Sequence, residues 1–128
     1  MSKQVILVDD SKTVLASCKM AFEDMIDDGE IEVLTYNNPV RMLNDVRARK
    51  ISYDLVIIDV NMPHMNGLDL ARELKTNSIV KDKPIIMMTV ENSDRMKIEA
   101  KDIGVIEWKV KPCSDETLIK SVRIVLEL

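Results

Sequence analysis

The sequence predicts a doubly wound α/β fold: an open five-stranded parallel sheet, built as (βα)5, with helices on both faces. Three observations predict it. Short apolar runs alternate with amphipathic stretches along the whole chain. Val5 to Val8, Leu55 to Ile58 and Ile85 to Met88 are continuously apolar, as strands covered on both faces require. Strands alternating with helices of this length call for right-handed crossovers, which leave the strands parallel. With 128 residues, the chain has the length of one domain, and residues 1–128 are read as one.

The elements follow in order. Val5-Ile6-Leu7-Val8 is a central strand. Ser11 caps a helix whose Val14, Leu15, Cys18, Ala21, Phe22, Met25 and Ile26 recur at helical spacing. Ile31 to Tyr36 alternates more, which suits a strand nearer the sheet edge. Asn38-Pro39 opens a second helix, with proline at its first turn. Leu55 to Ile58 is again central, and Leu68, Ala71 and Leu74 mark the helix after it. Ile85 to Met88 is the third central strand. Met96, Ala100 and Ile103 define a helix that stops at Gly104. Val105 to Val110 carries Glu107 and Lys109, as a strand near an edge can. Leu118, Ile119, Val122, Val125 and Leu126, after Ser114, form the last helix. In such sheets ligands gather at the carboxyl ends of the strands.

Composition narrows the function. At 46% hydrophobic and 31% charged residues, with three Gly and four Pro, the chain can bury a core and is not disordered. Its apolar runs fall far short of the roughly 20 residues that span a bilayer. No membrane insertion is expected. Met1-Ser2-Lys3-Gln4 leads straight into a strand without a signal-like apolar region, so the expected location is cytoplasmic. Cys18 and Cys113 match no metal spacing and no disulfide framework, and read as reduced thiols. A formal charge of −4, with one Trp, two Tyr and one Phe, argues against direct nucleic-acid binding.

Asp9 and Asp10 follow the first strand immediately, and Asp59 follows the strand of Leu55 to Ile58. If the two strands are neighbours, the carboxylates converge. Like charges brought together in a partly dry pocket demand a cation, and a hard divalent ion with oxygen ligands, Mg²⁺ above all, meets that demand. Taken alone, Asp9 or Asp10 would be a cap of the first helix. Thr89 and Lys111 occupy equivalent places after their own strand runs. A hydroxyl and an ammonium facing an acidic metal cluster suit a phosphoryl group. Pro112 follows Lys111, and a cis bond there would aim the lysine inward. His64, the only histidine, reads as an exposed loop residue, and the nine methionines read mostly as packing.

Val8-Asp9-Asp10-Ser11, Asp59 with Asn61-Met62-Pro63 and Asn66-Gly67, Met88-Thr89, and Lys111-Pro112 together resemble response-regulator receiver domains, in order and over the whole chain. The resemblance is strongest to stand-alone chemotaxis members. It implies the flavodoxin-like strand order 2-1-3-4-5, which makes the Asp10 and Asp59 strands adjacent. It implies that Asp59 is the phosphoacceptor, that Asp10 binds Mg²⁺ directly and Asp9 mostly through water, and that the Asn61 carbonyl is a further ligand. Lys111 then pairs with the phosphoryl group, Thr89 bonds a phosphoryl oxygen and moves with it, and Trp108 takes the aromatic switch position. Asn61 and Glu91 stand where the family orients water. Two departures are Val90, where Ala or Gly is usual, and Cys113, where Phe is usual. Val90 would narrow access to Asp59.

The implied function is a phosphorylation-activated signalling switch of a two-component or chemotaxis system. It is not an enzyme beyond its own phosphorylation and dephosphorylation. The implied phosphodonor is a sensor histidine kinase, and the implied target is a downstream protein, such as a flagellar motor switch or another effector. The partner face would surround Trp108, with Lys97, Lys101 and Lys109 exposed on it. Alternatives are a receiver trimmed from a larger regulator, a haloacid-dehalogenase-like Mg²⁺-dependent phosphatase, and a flavodoxin-like carrier. Asn61 in place of a second Asp weighs against the phosphatase, and Asp-Asp-Ser-Lys in place of a Ser/Thr/Gly-rich loop weighs against the carrier.

Overall fold

Strands form where the sequence is apolar and β-branched, and helices form where Ser, Asn or Pro can open them. The computed structural model describes residues 2–128. In chain order the elements are β1 (Lys3–Val8), α1 (Lys12–Ala21), α2 (Glu23–Asp27), β2 (Ile31–Tyr36), α3 (Pro39–Arg47), β3 (Leu55–Ile58), α4 (Gly67–Lys75), β4 (Ile85–Thr89), α5 (Asp94–Ile103), β5 (Glu107–Val110) and α6 (Asp115–Val125). The five strands are all parallel, in the order β2-β1-β3-β4-β5. The three continuously apolar runs are the central strands, and β2 and β5 are the edges.

Side chains on successive strand residues face opposite sides of the sheet. Val5, Leu7, Leu55, Ile57, Ile86 and Met88 therefore face one way and pack with Leu15, Phe22, Met25, Leu118 and Val122 of α1, α2, α6 and the junction between α1 and α2. Ile6, Val8, Val56, Ile58, Ile85 and Met87 face the other way and meet Met42, Leu43, Val46, Leu70, Leu74 and Ala100 of α3, α4 and α5. Every helix except α2 carries a side-chain cap at its start. Ser11, Asn38, Asn66, Ser93 and Ser114 each accept a bond from a backbone N–H in the first turn of the following helix, relieving donors that would otherwise lack partners. Gly104 ends α5 at φ +109°, a left-handed conformation that favours glycine.

Two elements differ from expectation. The helical pattern from Val14 to Ile26 is divided at Phe22, whose N–H reaches Lys19 O at 3.1 Å in a tightened turn. Phe22 and Met25 stay buried on both sides of the break. Their periodicity survives it, so spacing alone does not reveal it. β5 begins at Glu107, two residues later than the apolar run, because Val105 closes the turn after α5 with its N–H on Ala100 O. Among the described residues, no helix is long and apolar enough to cross a membrane.

Candidate phosphoacceptor and metal pocket

β1 and β3 are adjacent, with Val8 opposite Ile58, so Asp9 and Asp59 leave the sheet side by side. The ladder runs one step past the strands: Asp59 N–H donates to Val8 O at 3.0 Å and Asp9 N–H to Tyr36 O at 3.1 Å. Asp10 follows in the loop and is exposed, whereas Asp9 is 4% and Asp59 8% exposed. Carboxylate oxygens of Asp9, Asp10 and Asp59 lie within 4.8 Å of one another. The expected convergence is therefore present, as a pocket with two buried acids and one open to solvent. Hard oxygen donors with an open side fit Mg²⁺, which keeps waters among its ligands.

Lys111 reaches the same two buried acids from beyond β5. Its Nζ donates to Asp9 Oδ2 at 2.7 Å and to Asp59 Oδ2 at 3.3 Å, and the Lys111–Pro112 peptide is cis. The closer approach to Asp9 was not legible in the sequence. Burial acts to lower the Lys111 pKa, but the hydrogen bond and charge of Asp9, joined by Asp59, outweigh it and hold the ammonium raised. Burial also pushes the Asp9 carboxyl above its ordinary range, although Lys111 and the Ser11 N–H act to lower it. One ammonium shared by two buried acids does not fully offset their charge, which leaves room for a second cation.

Thr89 is wholly buried at the end of β4, and Lys111 N–H donates to Thr89 O at 2.8 Å. The Thr89 hydroxyl accepts from Glu91 N–H at 3.3 Å. Trp108 Nε1–H donates to Glu91 O at 3.1 Å, and Asn61 Nδ2–H to Glu91 Oε1 at 3.0 Å. Glu91 thus ties the loop after β3, the loop after β4 and the indole together. No local pattern marks that role, because these bonds use its N–H and carbonyl as much as its side chain. Trp108 itself lies on the α5 side of β5, packed against the core of that face.

Gly67 is a second contributor whose role the sequence did not show. Its N–H donates to Val60 O at 2.9 Å, and a Cβ at this position would lie 2.2 Å from the Asp59 carbonyl oxygen. The Asn66-Gly67 pair was visible as a motif, but not the close approach that demands it. Two expectations need correction. Lys109 is not exposed beside Trp108: neighbouring strand residues face opposite ways, and its side chain is 10% exposed, with Nζ 3.6 Å from Glu107 Oε1. Lys97 is half-buried, so of the three only Lys101 is fully exposed. Val90 is 64% exposed and lines a groove with Lys111 and Cys113. His64 is exposed, as expected.

Residues 5–123 match the family described as the response regulator receiver domain. The chain belongs to this family of phosphorylation-activated signalling switches. It is 32% identical over 123 residues to the chemotaxis protein CheY1 of Helicobacter pylori, covering 96% of each protein. It is also 31% identical over 108 residues to the cyclic di-GMP phosphodiesterase response regulator RpfG of Xanthomonas campestris, of which it spans only 28%. Among solved structures, the chemotaxis response regulator CheY4 of Vibrio cholerae superposes with a TM-score of 0.83 at 34% identity, covering 98% of this chain and 99% of that one.

The Gly67 contact generates a prediction. Gly67→Ala forces either Asp59 or the start of α4 to move, and the expected loss of stability is about 1–3 kcal/mol. Urea unfolding measures it, and a wild-type midpoint would show that the close approach carries no weight.

Proposed function

We propose that Asp59 accepts a phosphoryl group from a sensor histidine kinase and that the modified protein acts on a downstream protein target in the cytoplasm. The observation that carries this reading is the contact of Lys111 Nζ with both Asp9 and Asp59 beside the exposed Asp10. A carboxylate oxygen of Asp59 attacks phosphorus while the bond from phosphorus to the donor histidine nitrogen breaks. Lys111 supplies an ammonium to the incoming phosphoryl oxygens and gives up part of its hold on Asp59. Asp10 would hold Mg²⁺ directly and Asp9 through water, with Asp59 and the Asn61 carbonyl as the remaining protein ligands. The ion supplies positive charge against the transferring phosphoryl oxygens.

Thr89 carries the change outward. When its hydroxyl turns to donate to a phosphoryl oxygen, it gives up the Glu91 N–H, and the same Glu91 holds Trp108 through its carbonyl. A charge change at Asp59 is thereby linked to the α5 and β5 surface. That surface would be where the target docks. Similarity over nearly all of CheY1 and CheY4 supports a chemotaxis role. The partial span of RpfG supports the second reading, a receiver within a larger regulator.

Acetyl phosphate with Mg²⁺ should produce a transient phosphoryl adduct, detected by intact mass spectrometry and lost in Asp59→Asn. Wild-type labelling of Asp59→Asn would sink the assignment. Trp108, the only tryptophan, supplies a second readout. Its emission should change with saturation as Mg²⁺ is added and change again with acetyl phosphate, since Glu91 connects it to Thr89 and Asn61. An indole signal indifferent to both additions would contradict the coupling.

A further inference from the structure

The two cysteines are far apart in sequence, yet both line one solvent-open groove of about 340 Å³ formed by α1, the end of β4 and the loop between β5 and α6. Lys111 and Val90 line the same groove. Cys18 also lines the small cavity that Asp9 and Asp59 share, so the groove adjoins the proposed phosphoacceptor. Each cysteine is half-buried and packs at the edge of the core under α1 and α6. The one hydrogen bond either sulfur makes is weak, from Cys113 Sγ to Ser114 O at 3.7 Å. Among the described residues the two sulfurs make no other hydrogen bond.

We propose that Cys18 and Cys113 are a modification site for peroxide, which joins them as a disulfide stapling α1 to the loop that carries Lys111. The groove is wide enough for hydrogen peroxide, a molecule little larger than water. Burial raises the Cys18 thiol, which disfavours it as the first nucleophile toward peroxide. In the first step the Cys113 sulfur attacks a peroxide oxygen, the O–O bond breaks, water leaves and a sulfenic acid forms. In the second the Cys18 sulfur attacks the Cys113 sulfur, the S–O bond breaks and a second water leaves with the thiol proton. Two thiols are oxidised by two electrons, and one peroxide is reduced to two waters.

The consequence for signalling rests on the reading of Asp59 as phosphoacceptor. Cys113 stands two residues after Lys111, and Lys111 bridges Asp9 and Asp59. Drawing Cys113 toward α1 moves the ammonium off its carboxylates. Misplacement of a catalytic group by an ångström costs on the order of a hundredfold, so a partial shift should slow loading about tenfold.

The full chain is treated with hydrogen peroxide, the free thiols are alkylated, and peptides are mapped. Acetyl phosphate loading is measured before oxidation, after it, and after dithiothreitol. The expected result is a monomer with a Cys18–Cys113 link, slow loading that dithiothreitol restores, and Cys18→Ser and Cys113→Ser variants that load normally but ignore peroxide. Links only between molecules, or higher oxides of sulfur without the link, would overturn the site. A linked monomer that loads at the reduced rate would overturn the regulation. Failure of the reduced wild type to load at all would instead strike the phosphoacceptor reading, with the peptide map still deciding whether the link forms.

Discussion

Two buried carboxylates set side by side at the end of a parallel sheet must be met by positive charge, and the rest of the site is arranged around that need. Asp9 and Asp59 are held there by backbone bonds that extend the ladder past β1 and β3, so they cannot move apart without breaking the sheet edge of the pocket. At separations of no more than 4.8 Å the two charges repel by roughly 3 kcal/mol or more for an effective dielectric of about 20. Lys111 meets part of this from beyond β5, and the exposed Asp10 adds a further charge at the open side. An arrangement that is under-compensated in one state and satisfied in another is what a reversible charge switch requires.

The sheet also divides the labour of the site between its two faces. Asp9 and Asp59 continue the alternation of Val5, Leu7, Leu55 and Ile57, which face α1 and α6. Thr89 continues that of Ile85 and Met87, which face α5, and Trp108 packs into that same core. The two buried acids thus sit on one side of the sheet and Thr89 and Trp108 on the other. Thr89 and Glu91 are the crossing point, because Thr89 shares backbone bonding with Lys111 and Glu91 bonds both Asn61 and Trp108. The groove holding Cys18 and Cys113 lies on the charge side, next to Lys111 and away from the indole.

Most of the fold was legible because it is written in local patterns. Continuous apolar runs gave the central strands, and Ser11, Asn38-Pro39, Gly104 and Ser114 marked helix ends by the hydrogen bonds or backbone angles only such residues supply. The break at Phe22 was not legible, since it leaves the apolar spacing unchanged. Asp9, Asp10, Asp59, Thr89 and Lys111 were legible as residues that follow or end strands, but their adjacency came from the strand order that the family resemblance implied. Glu91 and Gly67 were named only through the family resemblance, and their structural roles escaped for a different reason. One acts largely through its backbone and the other through a missing side chain, and neither leaves a mark in composition or periodicity. Lys109 was misjudged because strand alternation turns it away from Trp108.

The central claim is that the acidic pocket is a cation site whose filling relieves real repulsion, and thermal unfolding against Mg²⁺ concentration tests it most directly. Binding to the folded chain alone should raise stability by about 2.7 kcal/mol when Mg²⁺ reaches about 100 times its Kd, a shift of several degrees in Tm. Asp10→Asn, which removes an exposed carboxylate without disturbing the buried pair, should need far more Mg²⁺ for the same shift. A Tm that ignores Mg²⁺ in the wild type, or that responds identically in Asp10→Asn, would contradict the account.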